Sequence, residues 1–317
     1  MSSQTQSGSS SQEASATAYG PDILGKVILV TGTSPNGLGE EYCFSVAAHN
    51  PKLLVLAGRR VETLRATAAR LAEQFPHVAT KILELDLETV ATVKKAAEEV
   101  LAWDDVPVID ILVNNAGIMA VDYALTVDGF ERQLAVNHLG PWLFTNMLMP
   151  KLLASSGPRI VFVGSSGHRW GPVRWHDYGF QDGKAYNRWT AYGQSKTAVL
   201  LCARWLGSRL GPKAQVFSLD PGVIKTPLGA HVDWAQEFDN IRAVDFALGN
   251  VEAVNGWPAN SYITKETAVA KYLYACFGKI PAADPHKDTL RPWACSDVEA
   301  EKLWRWTEEL LGLEFDI

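Results

Sequence analysis

The stretch Val27-Ile28-Leu29-Val30-Thr31-Gly32-Thr33-Ser34-Pro35-Asn36-Gly37-Leu38-Gly39 joins an apolar run to a glycine-rich loop. A segment of helical period follows from about Glu40. An apolar run with no polar face reads as a strand buried on both sides of a parallel sheet. Glycines between such a strand and a helix let backbone amides approach a pyrophosphate, and the helix N-terminus adds its partial positive charge. Three glycines in a loop are a weak signal alone. The strand before and the helix after are what strengthen it.

Outward from this loop the same alternation repeats. Further Val/Ile/Leu-rich runs occupy 53–57, 81–85, 109–114, 159–164 and 215–219, and helix-period segments occupy 40–49, 61–75, 88–101, 130–153 and 190–210. Segments of that length are the crossovers that parallel strands require. The pattern is that of one doubly wound α/β domain over 22–317, with no linker or internal repeat inside it. Residues 1–21 are expected to be a disordered tail, because 1–17 is rich in Ser, Gln, Ala and Gly and has too little apolar area to offset its ordering entropy.

Composition excludes several classes. The chain has 317 residues, 47% hydrophobic and 20% charged, with a net charge of −6. That balance, without a basic stripe, argues against a nucleic-acid surface. No apolar stretch approaches the ~20 residues of a membrane span, and the N-terminus lacks the pattern of a secretory signal, so the cytosol is the expected location. Cys43, Cys202, Cys276 and Cys295 form no metal-ligand spacing and read as reduced thiols; no metal is expected.

The second strand ends in Gly58-Arg59-Arg60. In a dinucleotide fold this point faces the adenosine ribose, where an acid would favour NAD(H). Arginine instead presents a fork of donors to a 2′-phosphate, so Arg59 and Arg60 point to NADP(H). Tyr192 and Lys196 lie four apart in a helical segment, hence on one face. A neighbouring ammonium is expected to lower the tyrosine pKa and prepare it for proton transfer. Ser165-Ser166, Asn114-Asn115-Ala116-Gly117, Asp86, and Asp220-Pro221-Gly222 with Thr226 all follow strands, on the sheet edge where such folds bind ligands.

In ordered combination these motifs, with Val136-Asn137-His138-Leu139-Gly140, resemble the short-chain dehydrogenase/reductase family, and its retinol dehydrogenase-like branch is the nearest likeness. The resemblance implies a Rossmann-type fold. It also implies Tyr192 as acid/base, Lys196 on the tyrosine and the nicotinamide ribose, Ser165 (rather than Ser166) on the substrate oxygen, and Asn137 on a water-linked path to Lys196. Cofactor contacts are expected from Gly32, Ser34, Gly37, Leu38, Gly39, Arg59, Arg60, Asp86, Asn115, Ala116, Gly117, Val223 and Thr226, besides Tyr192 and Lys196. The loop departs from the family pattern by one extra residue between Gly32 and Gly37, which leaves its phosphate contacts open.

The expected activity is NADP(H)-dependent interconversion of a carbonyl and an alcohol on a small lipophilic molecule. An NADP(H)-binding regulatory or scaffold protein, and a lyase or epimerase on the same fold, are the other readings. The insert between Ser165 and Tyr192 carries Trp170, Trp175, Tyr178, Phe180, Tyr186 and Trp189, an expected aromatic wall beside the substrate. Residues 227–265 are too long for a simple connection and rich in apolar side chains, and are expected to form a partly helical substrate lid. A helical extension is expected at 294–313. Monomer and homodimer both remain open.

Overall fold

The computed structural model describes residues 18–250, 262–279 and 290–316. Six parallel strands form one sheet in the order β3-β2-β1-β4-β5-β6. They are β1 Val27–Thr31, β2 Leu53–Gly58, β3 Thr80–Glu84, β4 Ile111–Asn114, β5 Arg159–Val163 and β6 Gln215–Leu219. The doubly wound parallel architecture expected from the alternation is therefore present, with strand ends shifted by one or two residues at β3 and β4. The chain reverses direction across the sheet between β1 and β4, the neighbours that flank the ligand crevice in folds of this kind.

The helices are α1 Leu38–Ala47, α2 Val61–Gln74, α3 Val90–Leu101, α4 Gly140–Met147, α5 Arg188–Leu210, α6 Trp234–Ala247, α7 Lys265–Phe277 and α8 Asp297–Leu311. Because the strands are apolar on both faces, two cores form. Leu29, Val55, Leu112 and Ile160 face α3, α4, α5 and α8. Ile28, Val30, Leu54 and Val161 face α1 and α7. Helix α8 inserts Trp304 against Trp142 of α4, with ring centroids 5.1 Å apart and near edge-to-face. Removing a buried tryptophan of this kind costs about 3–5 kcal/mol.

Two expectations need correction. The segment 130–153 is not one helix. A helical turn at Arg132–Leu134 runs into a π-helical turn, Ala135–Leu139, before α4, and Met149–Leu152 forms a separate turn. Pro141 has no N–H for the carbonyl of Asn137 and crowds it, so the ladder shifts and Gly140 N–H bonds Ala135 O instead. Pro150 interrupts the ladder again. The N-terminal tail was expected to reach residue 21, yet Gly20–Ile23 is helical, Ile23 is buried, and Tyr19 lies against Phe277 at 6.3 Å. Residues 1–17 lie outside the described residues, as do 251–261 of the expected lid, including Trp257. Among the described residues, no helix is long and apolar enough to cross a membrane, and no group of His, Cys, Asp or Glu is arranged to hold a metal ion.

Candidate active site

The strand ends open into one cavity of about 1610 Å³. Its lining includes Gly32, Ser34, Gly37, Leu38, Arg59, Arg60 and Asp86, together with Asn115, Ala116, Gly117, Ser165, Tyr192 and Lys196, and Val223 and Thr226. Of the residues expected to act in catalysis or to contact the cofactor, Gly39 and Asn137 are the two that do not line it.

The glycine loop accommodates its extra residue by a left-handed turn at Asn36 (φ 63°). Glu40, in the first turn of α1, reaches back and accepts from the Asn36 N–H at 2.7 Å. The same carboxylate receives Thr67 Oγ1 at 3.2 Å and Arg70 Nη1 at 2.6 Å, so loop, α1 and α2 are tied by one buried acid. Its signal in the sequence is an acid in the first turn after the loop. Gly39 serves packing: a Cβ there would lie 2.5 Å from Gly32 O, so only glycine lets α1 start so close to the loop. Thr33 is buried away from the cavity, and its carbonyl accepts from Thr67 Oγ1.

Asn115 locks the loop to β4. Its Nδ2 donates to Thr31 O at 2.7 Å and Gly32 O at 3.0 Å, while Tyr272 of α7 donates its hydroxyl to Asn115 Oδ1 at 2.8 Å. The Asn115 and Ala116 N–H groups both donate to Thr31 Oγ1. Nothing in the local sequence points to Tyr272, whose partner is far away in the chain. Asp86 Oδ1 accepts from the Glu88 N–H at 3.0 Å, which turns the chain at the cavity edge. Arg59 lies 3.8 Å from Glu88, which also accepts from Arg132 Nε at 3.1 Å.

Helix α5 starts at the Asn187 cap, whose Oδ1 accepts from the Trp189 and Thr190 N–H groups. Its first turns bury Tyr192, Ser195 and Lys196. Ser165 follows β5, and its Oγ accepts from the Gly167 N–H at 3.0 Å. Burial pushes the Tyr192 pKa up to about 12, against a lowering hydrogen bond from Ser165; Asp220 adds to the rise. Burial lowers Lys196 to about 8, opposed by Asp220. The expected lowering of Tyr192 by Lys196 is therefore not found: burial sets the direction, and the lowering contribution comes from Ser165. Lys196 Nζ donates to Val163 O at 2.8 Å and stands 5.7 Å from the Tyr192 ring centre.

Asn137, in the π-helical turn, donates through Nδ2 to Ile118 O and Ser195 Oγ and accepts from the Ile118 N–H, all at 2.9 Å. A Cβ on Gly117 would lie 3.0 Å from Asn137 Oδ1 and 3.8 Å from Lys196 Nζ, so the absence of a side chain keeps the gap between these two groups open.

The aromatic insert divides. Trp170 and Trp189 line the cavity, 5.2 Å apart, and Trp189 continues to Trp234 and Phe238 of α6. Trp175 and Tyr178 instead pack on Trp306 of α8, and Phe180 and Tyr186 pack on each other. Helix α6 also brings Ile241 to the cavity. It is tied down by Glu237, which accepts from Trp189 Nε1 at 2.6 Å and pairs with Arg188 at 3.3 Å, and by Asp245, which is 3.4 Å from Arg169. Phe246 points outward, 75% exposed.

A family model for short chain dehydrogenases matches residues 26–237, and the chain belongs to this family. Retinol dehydrogenase 13 of Homo sapiens is 36% identical over 299 residues, covering 92% of this chain and 86% of the relative. Retinol dehydrogenase 12 of Bos taurus is 31% identical over 295 residues, covering 93% and 89%. Among solved structures, an uncharacterised protein from Mycobacterium paratuberculosis has a TM-score of 0.67 at 27% identity and covers 94% of this chain and 98% of its own. The likeness places this chain in the retinol dehydrogenase-like branch of the family.

Proposed function

We propose that the protein is an NADP(H)-dependent oxidoreductase that interconverts a carbonyl and an alcohol on a lipophilic small molecule. The observation that carries this reading is that Ser165, Tyr192 and Lys196 line the same cavity as the glycine loop and Arg59. The loop fits a dinucleotide: Gly39 permits close helix approach, and α1 begins at the cavity with its N-terminal amides. When bound, the nicotinamide supplies hydride to the carbonyl carbon or accepts it from the alcohol.

The protein's part is alignment and proton transfer. Ser165 and Tyr192 hold the substrate oxygen by hydrogen bonds. Tyr192 passes its phenolic proton to that oxygen in reduction and takes it back in oxidation. With its pKa near 8, Lys196 carries a positive charge at neutral pH and favours the phenolate left behind. Asn137 holds the Ile118 backbone beside Gly117 and Lys196, keeping room for a water-linked proton path. Arg59 and Arg60 would take the 2′-phosphate, and Asp86 would take the adenine. Thr226 would hold the carboxamide. Trp170, Trp189, Trp234, Phe238 and Ile241 form an apolar enclosure for the rest of the substrate, with α6 as its cover. The relatives named for retinol, a long apolar alcohol, support the same substrate class.

The test is consumption of NADPH with a panel of apolar aldehydes and ketones, retinal among them. Turnover that disappears in Tyr192→Phe, with NADPH binding retained, is the expected result. No turnover of any carbonyl by a protein that binds NADPH would overturn the reading in favour of a regulatory role.

A further inference from the structure

We propose that His168 is a positioning residue for the reaction proposed above, on which reading this inference rests: one ring nitrogen holds the Ser165 backbone, and the other fastens the Arg291 segment onto the same turn.

Ser165 caps the 3₁₀ turn Ser166–Trp170. Its carbonyl receives the His168 N–H at 3.1 Å and lies 2.9 Å from His168 Nδ1. A carbonyl can only accept, so Nδ1 carries the proton. Nε2 then presents a lone pair, and it accepts the Arg291 N–H at 3.3 Å. The two contacts agree on one tautomer, and the Nε2 contact also requires a neutral ring, since a protonated Nε2 could not accept. Burial lowers the His168 pKa; the hydrogen bond to the Ser165 carbonyl and then Asp220 oppose it, and Arg169 and Arg291 lower it further.

The His168 backbone carbonyl is used as well. It accepts from Thr197 Oγ1 of α5 at 3.1 Å and from Trp293 Nε1 at 3.2 Å. Thr197 is the neighbour of Lys196. A single buried residue thus joins the serine turn, the helix that carries Tyr192 and Lys196, and the segment leading into α8. The turn also packs directly on the tyrosine: a Cβ on Gly167 would lie 2.7 Å from Tyr192 Cε1. Any shift of this turn changes the spacing of the Ser165 and Tyr192 hydroxyls.

The experiment compares His168→Ala, His168→Asn and His168→Gln, each first checked for folding by near-UV circular dichroism and for NADPH binding. Asparagine restores a donor near the Nδ1 position; glutamine restores an acceptor near Nε2. Rates are measured with NADPH and, as probes, decanal and benzaldehyde. H168A should lower kcat by about 100-fold, as misplacement by about an ångström does, with KM for NADPH near wild type. H168N should recover most of kcat, and H168Q should not. Amide exchange supplies a readout independent of turnover: H168A should speed exchange at Gly167 and Arg291, H168N at Arg291 alone, and H168Q at Gly167 alone. If wild type turns over neither aldehyde, the exchange pattern alone decides the positioning role, and the proposed function is decided by the wider carbonyl panel. Wild-type kcat in H168A, equal kcat in folded H168A and H168N, or equal Gly167 protection in all variants would overturn it.

Discussion

Arg59 and Arg60 line the cavity, and replacing both by alanine isolates their part in cofactor choice. The Arg59 side chain is 65% exposed and lies 3.8 Å from Glu88. An exposed pair at that distance contributes little to stability, so the melting temperature should hardly move. Bonds from arginine to a phosphate are another matter. Each hydrogen bond to a charged group contributes about 1.5–3 kcal/mol. At about 1.4 kcal/mol per decade, one such bond corresponds to roughly a 10- to 150-fold change in Kd. Solvent around Arg59 puts the expected value toward the lower end. NADPH should therefore bind at least about 10-fold more weakly to the double variant, while NADH binding stays near wild type. Glu88 adds a second arm. Its carboxylate holds Arg59 and would repel the phosphate, so Glu88→Gln should tighten NADPH and leave NADH alone. Titration calorimetry at two salt concentrations measures all of this, and the NADPH preference should shrink as salt rises. Equal losses for the two cofactors would refute the reasoning and make the arginines structural.

Tyr192→Phe removes only the phenolic oxygen and should abolish most turnover. Ser165→Ala should also slow it strongly and Ser166→Ala much less, in steady-state assays with NADPH; the reverse order of the serines would exchange their roles. Lys196 is lowered to about 8 and Tyr192 raised to about 12. The ammonium is therefore mostly present at neutral pH, half lost at about pH 8 and gone at higher pH, well before Tyr192 ionises. The reductive rate should fall above about pH 8, whereas a level profile up to the ordinary tyrosine value of about 10 would contradict that ordering. Glu237→Ala removes the acceptor of Trp189 Nε1 and the partner of Arg188. Faster amide exchange over Trp234–Ala247 and a raised KM for aldehyde are expected. Unchanged exchange would mean that apolar packing alone holds the helix.

The sheet was legible because its signal is local. Strands buried on both faces appear as uninterrupted apolar runs, and β1, β2, β5 and β6 lie where those runs lie. The glycine loop was equally local, as were Tyr192 and Lys196 on one helix face. The broken helix after β4 was written in Pro141 and Pro150, but helical period across 130–153 masked it. Side chains that work through distant partners left no trace. Tyr272 on Asn115, Glu88 on Arg59 and Glu237 on Trp189 become neighbours only when the chain folds. The aromatic insert shows the same limit: composition marks Trp170, Trp175, Tyr178 and Trp189 alike, but α8 draws two of them away from the cavity. The shift of Tyr192 was misjudged for a related reason, since spacing reveals a neighbouring charge but not the depth of burial.

Helix α8 lies beyond every strand in chain order, yet its Trp304 packs between Trp142 and Trp205. During synthesis at about 5–20 residues per second, α4 and α5 emerge several seconds before their cover. A nascent chain can therefore hold a finished sheet while a tryptophan-bearing face stays open to water and to other chains. That interval is a window for chaperone capture or aggregation. A chain cut short ahead of Asp297 would still carry Ser165, Tyr192 and Lys196 but would leave Trp142 and Trp205 without that cover.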